Sequence, residues 1–477
     1  MGPRYRRVAV IGAGPSGISA IKALHEENIF QRIRLFERRD RSGGTWVYDR
    51  IPDVFPDPKD SMKQNEIPGS LPRFQSPSPE DTTARTAVYD SLDSNLGAKA
   101  MEFTHTPFPV VNSATSIQQF GHSNPTRPFR VVAGYLQDLF KTYHHLASFN
   151  TTVEKVEKHG KEWVLTLRQS GHIHENQQSD YWWQEHFDAV VVATGHYSVP
   201  LVPDIPGLDK ALSSHPAVFE HSKAFRSPND YVDKKVIVVG GNVSSADLVA
   251  DLHAIVKGPL YLSQRGRNEA LQSAWDLPNI QLKPTISRFD TSTQDITVIF
   301  SDGTTLAGID KIIFATGYKL SYSFLTPDPV TPNNRASGFY QHVFKIGDPS
   351  LALVGQARAA ISFRIYEYQA VAVARYFAGR NAKALPSPQE QDLWEVERLK
   401  YKGPSDLFHE IKPDFGEYFA FLRDLAGPPA PGSGGYELPP WDDRWVEQAF
   451  EILQLKDAYW RSLRRAAEGA DRPRAKL

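Results

Sequence analysis

The stretch Val8-Ala9-Val10-Ile11-Gly12-Ala13-Gly14-Pro15-Ser16-Gly17 constrains this chain more than any other part of it. Four apolar residues run straight into G-x-G-x-x-G; the pattern then turns helical from about Ser16 to Glu27, and a second apolar run follows at Ile33-Arg34-Leu35-Phe36. Strand, glycine turn, helix and parallel strand together make the βαβ unit that holds a dinucleotide. Gly12 permits the tight turn, Gly14 leaves room for a pyrophosphate beside the backbone, and Gly17 lets helix and strand pack closely. The helix start at Ser16 supplies amide donors at the positive end of the dipole. Glu37, followed by Arg38, closes the second strand and offers a carboxylate to ribose hydroxyls. The same carboxylate would repel a 2′-phosphate, so this site suits FAD or NAD rather than NADP. The plain alternative, a glycine turn with no ligand, is disfavoured by the presence of every part of the pattern.

A second unit of the same design begins at Val236-Ile237-Val238-Val239, continues as a helix from about Ser244 to Val256, and ends in Leu260-Tyr261-Leu262. Its turn, Gly240-Gly241-Asn242-Val243-Ser244-Ser245, is degenerate, with Asn242 and Ser245 where the second and third glycines would stand. The following strand ends in Ser263-Gln264-Arg265-Gly266-Arg267. There an NAD site would carry an acid, whereas guanidinium and hydroxyl groups bind a 2′-phosphate; an exposed basic turn is the alternative. The expected fold is α/β and doubly wound, with two Rossmann-like dinucleotide-binding domains. We place a first nucleotide domain over 1–204, a second over 205–325, and the completion of the first, with C-terminal helices, over 326–477.

Between residues 49 and 88 the chain turns polar and carries Pro52, Pro56, Pro58, Pro68, Pro72, Pro77 and Pro79, so neither a helix nor a sheet interior is expected there. Such a loop is either a tolerated insertion or a lid. Just before it, Gly43-Gly44-Thr45-Trp46 forms a turn ending in an aromatic able to cover a flat cofactor. Ala193-Thr194-Gly195 and Ala315-Thr316-Gly317-Tyr318 repeat one strand-to-glycine junction, where a chain can cross close to a dinucleotide. Arg444 to Arg465 reads as an amphipathic helix with Trp445, Phe450, Ile452, Leu453 and Leu455 available for docking. The chain has no cysteine, which excludes dithiol redox relays and thiolate metal sites. A net charge of −1 gives no general attraction to nucleic acid or anionic lipid, so neither is expected as a partner.

At this point the chain resembles the flavin-containing monooxygenases over most of its length. The likeness runs through Gly12 to Gly17, Gly43 to Trp46, Tyr89-Asp90-Ser91-Leu92-Asp93-Ser94-Asn95, Ala193 to Pro200, Val239 to Asp247, Ala315 to Tyr318, Pro349 to Gly355 and Glu367 to Ala370. The family fingerprint F-x-G-x-x-x-H-x-x-x-(Y/F) falls on His215 to Phe225. His221 and Phe225 match, while His215 and Ala217 replace the Phe and Gly. Baeyer-Villiger monooxygenases end that element in Trp, so Phe225 favours heteroatom oxygenation over their chemistry on a ketone. The resemblance implies FAD and NADPH as cofactors, O₂ as co-substrate, and a C4a-hydroperoxyflavin that passes one oxygen atom to a nitrogen or sulfur of a small molecule, an alkaloid-like amine or indole of a natural-product pathway. It makes Asn95 the active-site asparagine and leaves His221 and Arg364 without an assigned role. A non-oxygenating NADPH-binding flavoprotein, acting as a sensor or binding module, is the reading from another class.

No stretch suggests a secretion signal or a spanning helix, so a cytoplasmic location is expected. Ala475-Lys476-Leu477 resembles a peroxisomal signal and supplies the alternative address. Self-association into a homo-oligomer is left open.

Overall fold

The computed structural model describes residues 2–56, 65–81, 84–266, 268–359 and 361–470. Ala475-Lys476-Leu477, the alternative address, and Arg267, expected at the 2′-phosphate, lie outside the described residues. Two parallel sheets organise the chain. The first has seven strands in the order Phe339–Tyr340, Phe344–Lys345, Leu351–Leu353, Ala189–Val192, Arg7–Ile11, Arg32–Phe36, Ala147–Ser148. Its strands from Leu351–Leu353 through Ala147–Ser148 are parallel, as βαβ connections require. The second, all parallel, runs Phe219–His221, Lys311–Phe314, Val236–Val239, Leu260–Ser263, Ile280–Lys283.

Strand alternation decides what covers the first sheet. Val8, Val10 and Val191 face the helices Pro15–Glu26 and Ser362–Ala378 through Ile18, Ile21, Ile365 and Tyr368. Ala9, Ile11, Val190 and Val192 face a four-stranded antiparallel sheet through Val156, Trp163, Leu165 and Phe187. Each fully buried aliphatic side chain in these layers contributes about 1.5–3 kcal/mol. Within the Pro-rich region, Arg73–Gln75 is a strand, but only at the edge of that antiparallel sheet, where missing N–H groups are tolerated.

The helix expected to reach Val256 is shorter, Val243–Leu252. Past Leu252 the chain tightens into turns, with Leu252 O accepting from both Ile255 N and Val256 N, and the turns are held from outside through His253 O by the Asn279 amide and Ile255 O by the Asp233 N–H. The C-terminal helix extends further than expected, Arg444–Ala470, and buries Trp460 as well as Trp445 and Ile452, whereas Phe450, Leu453 and Leu455 are half-buried.

Candidate active site

Four parallel strands of the first sheet end side by side at Ile11, Phe36, Val192 and Leu353, so the loops that follow converge on one crevice. Gly12 has φ +101°, and a Cβ there would stand 2.7 Å from Ala193 O. A Cβ on Gly17 would stand 1.8 Å from Gly12 O. Both positions are closed by the protein itself. Gly14 and Gly44 pack backbone to backbone: a Cβ on Gly14 would stand 3.4 Å from Gly44 Cα, and one on Gly44 would stand 2.7 Å from Gly14 Cα. Ser16 is buried in the notch that Gly355 leaves, tying the closing stretch of the sheet to the glycine turn.

Glu37 is buried; its Oε2 accepts from Ala13 N (2.7 Å) and its Oε1 from Arg39 N (2.9 Å), while burial pushes its carboxyl above the usual range. Arg38 pairs with Asp81 and lies 3.5 Å from Ser198 Oγ. Thr45 is exposed, and Trp46 meets Phe363 edge-on, with ring centroids 6.4 Å apart. Thr194 Oγ1, His196 Nε2 and Gln356 Nε2, in the loops after two adjacent strands, are buried without hydrogen-bond partners. Unpartnered polar atoms of this kind are costly. Beside the first glycine turn they suit a dinucleotide with a polar-edged ring system, so the residues present could hold FAD.

At the second sheet Gly240 has φ +145°, and a Cβ there would stand 2.4 Å from Ala315 O. Gly241 lies against Gln264, whose Oε1 is buried without a partner. Asn242 caps the helix through Val243 N (3.0 Å). Its own N–H donates to Ser245 Oγ (3.0 Å), and Ser245 Oγ donates back to Asn242 O (2.7 Å). Ser245 thus shapes the turn from inside, while Ser244 is exposed at the helix start. Ser263 is buried and donates to Pro284 O (2.8 Å), so its hydroxyl turns away from the mouth where the sequence places a phosphate. Arg265 is exposed beside the glycine turn, since Gly240 N bonds Ser263 O. The partnerless amide oxygen of Gln264 and the exposed guanidinium of Arg265, beside the capped start of this helix, could hold NADPH.

The two glycine junctions pair with each other. Val199–Pro200 runs antiparallel to Tyr318–Lys319, and Leu201 N donates to Gly317 O (2.8 Å). His221 fastens this crossing: Nδ1 accepts from Lys223 N (3.1 Å), so Nε2 carries the proton and donates to Gly317 O (3.0 Å). Burial pulls its pKa down to about 4, and with both nitrogens engaged His221 is structural. Lys223, which sequence reasoning missed, is buried in an ion pair with Asp53 and donates to Ser198 O (2.7 Å). Arg226, also missed, reaches Asp49 O (2.7 Å) and Thr86 O (3.0 Å), so both ends of the Pro-rich segment are stapled to the crossing. The signal available was two cations around a half-matched fingerprint, with nothing to name their partners.

Asn95 is exposed, and its side-chain amide makes no hydrogen bond among the described residues. Its loop is nonetheless fixed, by Ser94 N to Arg127 O (2.8 Å), by Arg127 N to Ser94 Oγ (3.0 Å) and by Gly97 N to Ala449 O (3.3 Å). Tyr89, at the start of this loop, packs edge-on against Phe225, with ring centroids 5.0 Å apart. Arg364 is buried; it donates to Lys99 O (3.1 Å) and sits 4.2 Å over the Trp445 ring rather than in an ion pair.

Three family models match: NAD(P)-binding Rossmann-like domain at 10–57, pyridine nucleotide-disulphide oxidoreductase at 97–342, and flavin-binding monooxygenase-like at 267–427. With no cysteine in the chain, the second match concerns architecture, not a dithiol. The flavin-containing monooxygenase iboF of Amanita muscaria is 31% identical, over 87% of this chain and 85% of its own. Flavin-containing monooxygenase FMO GS-OX5 of Arabidopsis thaliana is 29% identical, over 94% of each. Among solved structures, the S-allyl-L-cysteine S-oxygenase from Allium sativum superposes with a TM-score of 0.72 over 98% of each chain at 24% identity. Cyclohexanone monooxygenase superposes at 0.55, over 88% of this chain and 97% of that one, with 14% identity. At such identities these two likenesses speak for the fold alone.

Proposed function

From the premise that this chain belongs to the flavin-containing monooxygenases, we propose that it transfers one oxygen atom from O₂ to a nitrogen or sulfur of a small organic substrate. Its cofactors are FAD and NADPH. When bound, the flavin takes hydride from NADPH and activates O₂; the cofactor carries the hard chemistry and the protein supplies position and shelter.

In this reading the glycine turn at Gly14, with Gly44 packed beside it, would receive the FAD pyrophosphate, and Gly12, Ser16 and Gly17 build the turn. Glu37 anchors the ribose, and Arg38, Thr45, Trp46 and Thr194 border the cofactor. Gly240, Asn242, Ser244 and Ser245 form the NADPH turn, and Arg265 meets the 2′-phosphate. The observation that carries the proposal is Asn95, an exposed amide with no partner on a loop bonded on both sides. A fixed amide can donate and accept beside the reacting atoms without reorganising. A nucleophilic triad is not required.

The test is NADPH oxidation in air with a panel of amines and sulfides, comparing wild type with Asn95→Ala. The wild type is expected to give oxygenated product, and the variant to keep its FAD and oxidise NADPH while most product is lost to H₂O₂. Equal product per NADPH in the two proteins would refute the role of Asn95. A wild type with no affinity for FAD would refute the whole reading.

A further inference from the structure

The helix Arg444–Ala470 belongs to two cores at once. Near its start Trp445 and Ala449 are part of the core beneath the first sheet; near its end Trp460 is part of the core of the second, with Leu271, Ala274 and Trp275. Between those anchorages it passes the Asn95 loop. Gly97 N donates to Ala449 O, and a Cβ on Gly97 would stand 1.9 Å from Gln448 O, so loop and helix backbones are in direct contact.

Two turns further on, Lys456 Nζ donates to Asp247 Oδ1 at 2.6 Å, reaching the helix that follows the second glycine turn. Three carboxylates share this seam. Asp247 and Asp251 stand on the Val243–Leu252 helix, and Asp93 stands on the loop of Asn95. Asp93 Oδ2 accepts from Ser113, while its Oδ1 is buried without a partner. Desolvation and the neighbouring Asp247 push Asp251 up to about 7, and Lys456 opposes both that rise and the rise at Asp93. Burial first, and then the same three carboxylates, raise the Tyr89 hydroxyl well above its ordinary range. The next cations along the helix are engaged elsewhere, Arg461 with Asp457 and Arg464 with Asp276 and Glu468, which leaves Lys456 as the ammonium at this point.

We propose that Lys456 is a positioning residue for oxygen transfer: one ammonium, delivered by a helix rooted in both cores, holds the loop of Asn95 against the helix that begins at the NADPH turn. Without it, Asp93 on the loop of Asn95 and Asp247 and Asp251 on the helix of the second glycine turn are left with no ammonium between them, and like charges push the two elements apart. This rests on the reading of Asn95 given above.

The experiment uses the FAD-loaded enzyme and compares wild type, Lys456→Gln, Lys456→Arg and Asn95→Ala for FAD content, NADPH oxidation and oxygenated product per NADPH. In Lys456→Gln the product per NADPH should fall about fivefold at low salt, and in Lys456→Arg it should stay within about twofold of wild type, as expected for a coupling energy at the lower end of the usual range. Added salt should return part of the loss in Lys456→Gln, because it screens carboxylate repulsion; a packing defect would not respond. Unchanged coupling in Lys456→Gln, or equal losses in Gln and Arg variants with no response to salt, would overturn the proposal. Should Lys456→Gln not fold, the Arg variant decides, since it must retain coupling. If Asn95→Ala uncouples and Lys456→Gln does not, only the role of Lys456 falls; if Asn95→Ala stays coupled, the reading of Asn95 falls first.

Discussion

Acidification is expected to loosen the junction between the two sheets, and His221→Gln isolates the reason. His221 is 2% exposed, its Nδ1 accepts from Lys223 N, and its Nε2–H is given to Gly317 O. Burial sets its folded-state pKa at about 4, against about 6.5 for a solvated histidine. The unfolded chain therefore takes up a proton as the pH falls through 6.5, whereas the folded chain does not until about 4. The sign follows: the stability is fully present above about pH 6.5 and is lost as pH falls toward 4. By pH 5 a single histidine with these two values costs about 2 kcal/mol. His196, pulled down to about 4 for the same reason, adds a second increment of similar size. The assay is the urea midpoint of flavin release and tryptophan emission between about pH 7.5 and 5, for wild type and His221→Gln. The glutamine keeps an N–H for Gly317 O but cannot titrate. The variant should be the less stable protein at pH 7.5, and its curve should approach that of wild type as the pH falls. Two curves that drop in parallel would refute the argument.

The glycine turn makes two substitutions diagnostic. Gly17→Ala puts a Cβ 1.8 Å from Gly12 O and should abolish soluble folded protein with or without FAD, whereas the Cβ of Gly14→Val stands 3.4 Å from Gly44 Cα, an ordinary contact, so that variant should fold but no longer bind FAD; equilibrium flavin titration and circular dichroism separate the two. Arg265→Ala should weaken NADPH binding by about 1.5–3 kcal/mol while leaving NADH use almost unchanged, as loss of a charge-assisted phosphate contact requires. A KM for NADPH that does not move would remove Arg265 from the site.

The parts of this protein that could be read from sequence are those whose cause is local. Gly12, Gly14 and Gly17 announce themselves because strand, turn and helix adjoin in the chain, and the spacing to Glu37 is set by one helix. Ser263 could not be oriented the same way, since the strand pattern does not say that Pro284 O waits beneath it. Asp53 and Lys223 meet across 170 residues, and the His221 and Arg226 bonds likewise join segments with no shared pattern. The end of the Val243–Leu252 helix was hidden because the turns beyond it are held by Asn279 at His253 O and by Asp233 at Ile255 O, both remote in the chain. The C-terminal helix was legible as amphipathic, but periodicity cannot reveal that its two ends enter different cores.

The paired crossing of Val199–Pro200 with Tyr318–Lys319 also bears on the order of assembly during synthesis. Every strand of the second sheet lies between residues 219 and 314, bracketed by that ladder, so this unit can close on itself as soon as it has left the ribosome. The first sheet cannot. Its strand Ala189–Val192 has one neighbour already made in Arg7–Ile11, and its other side stays bare until Leu351–Leu353 emerges. For the whole time it takes to make the intervening segment, the first glycine turn stands on an unfinished sheet with an open edge, a template for wrong pairing. The inserted unit, folded early with its entry and exit side by side, keeps the two halves of that sheet within reach of each other and shortens the loop that their pairing must close.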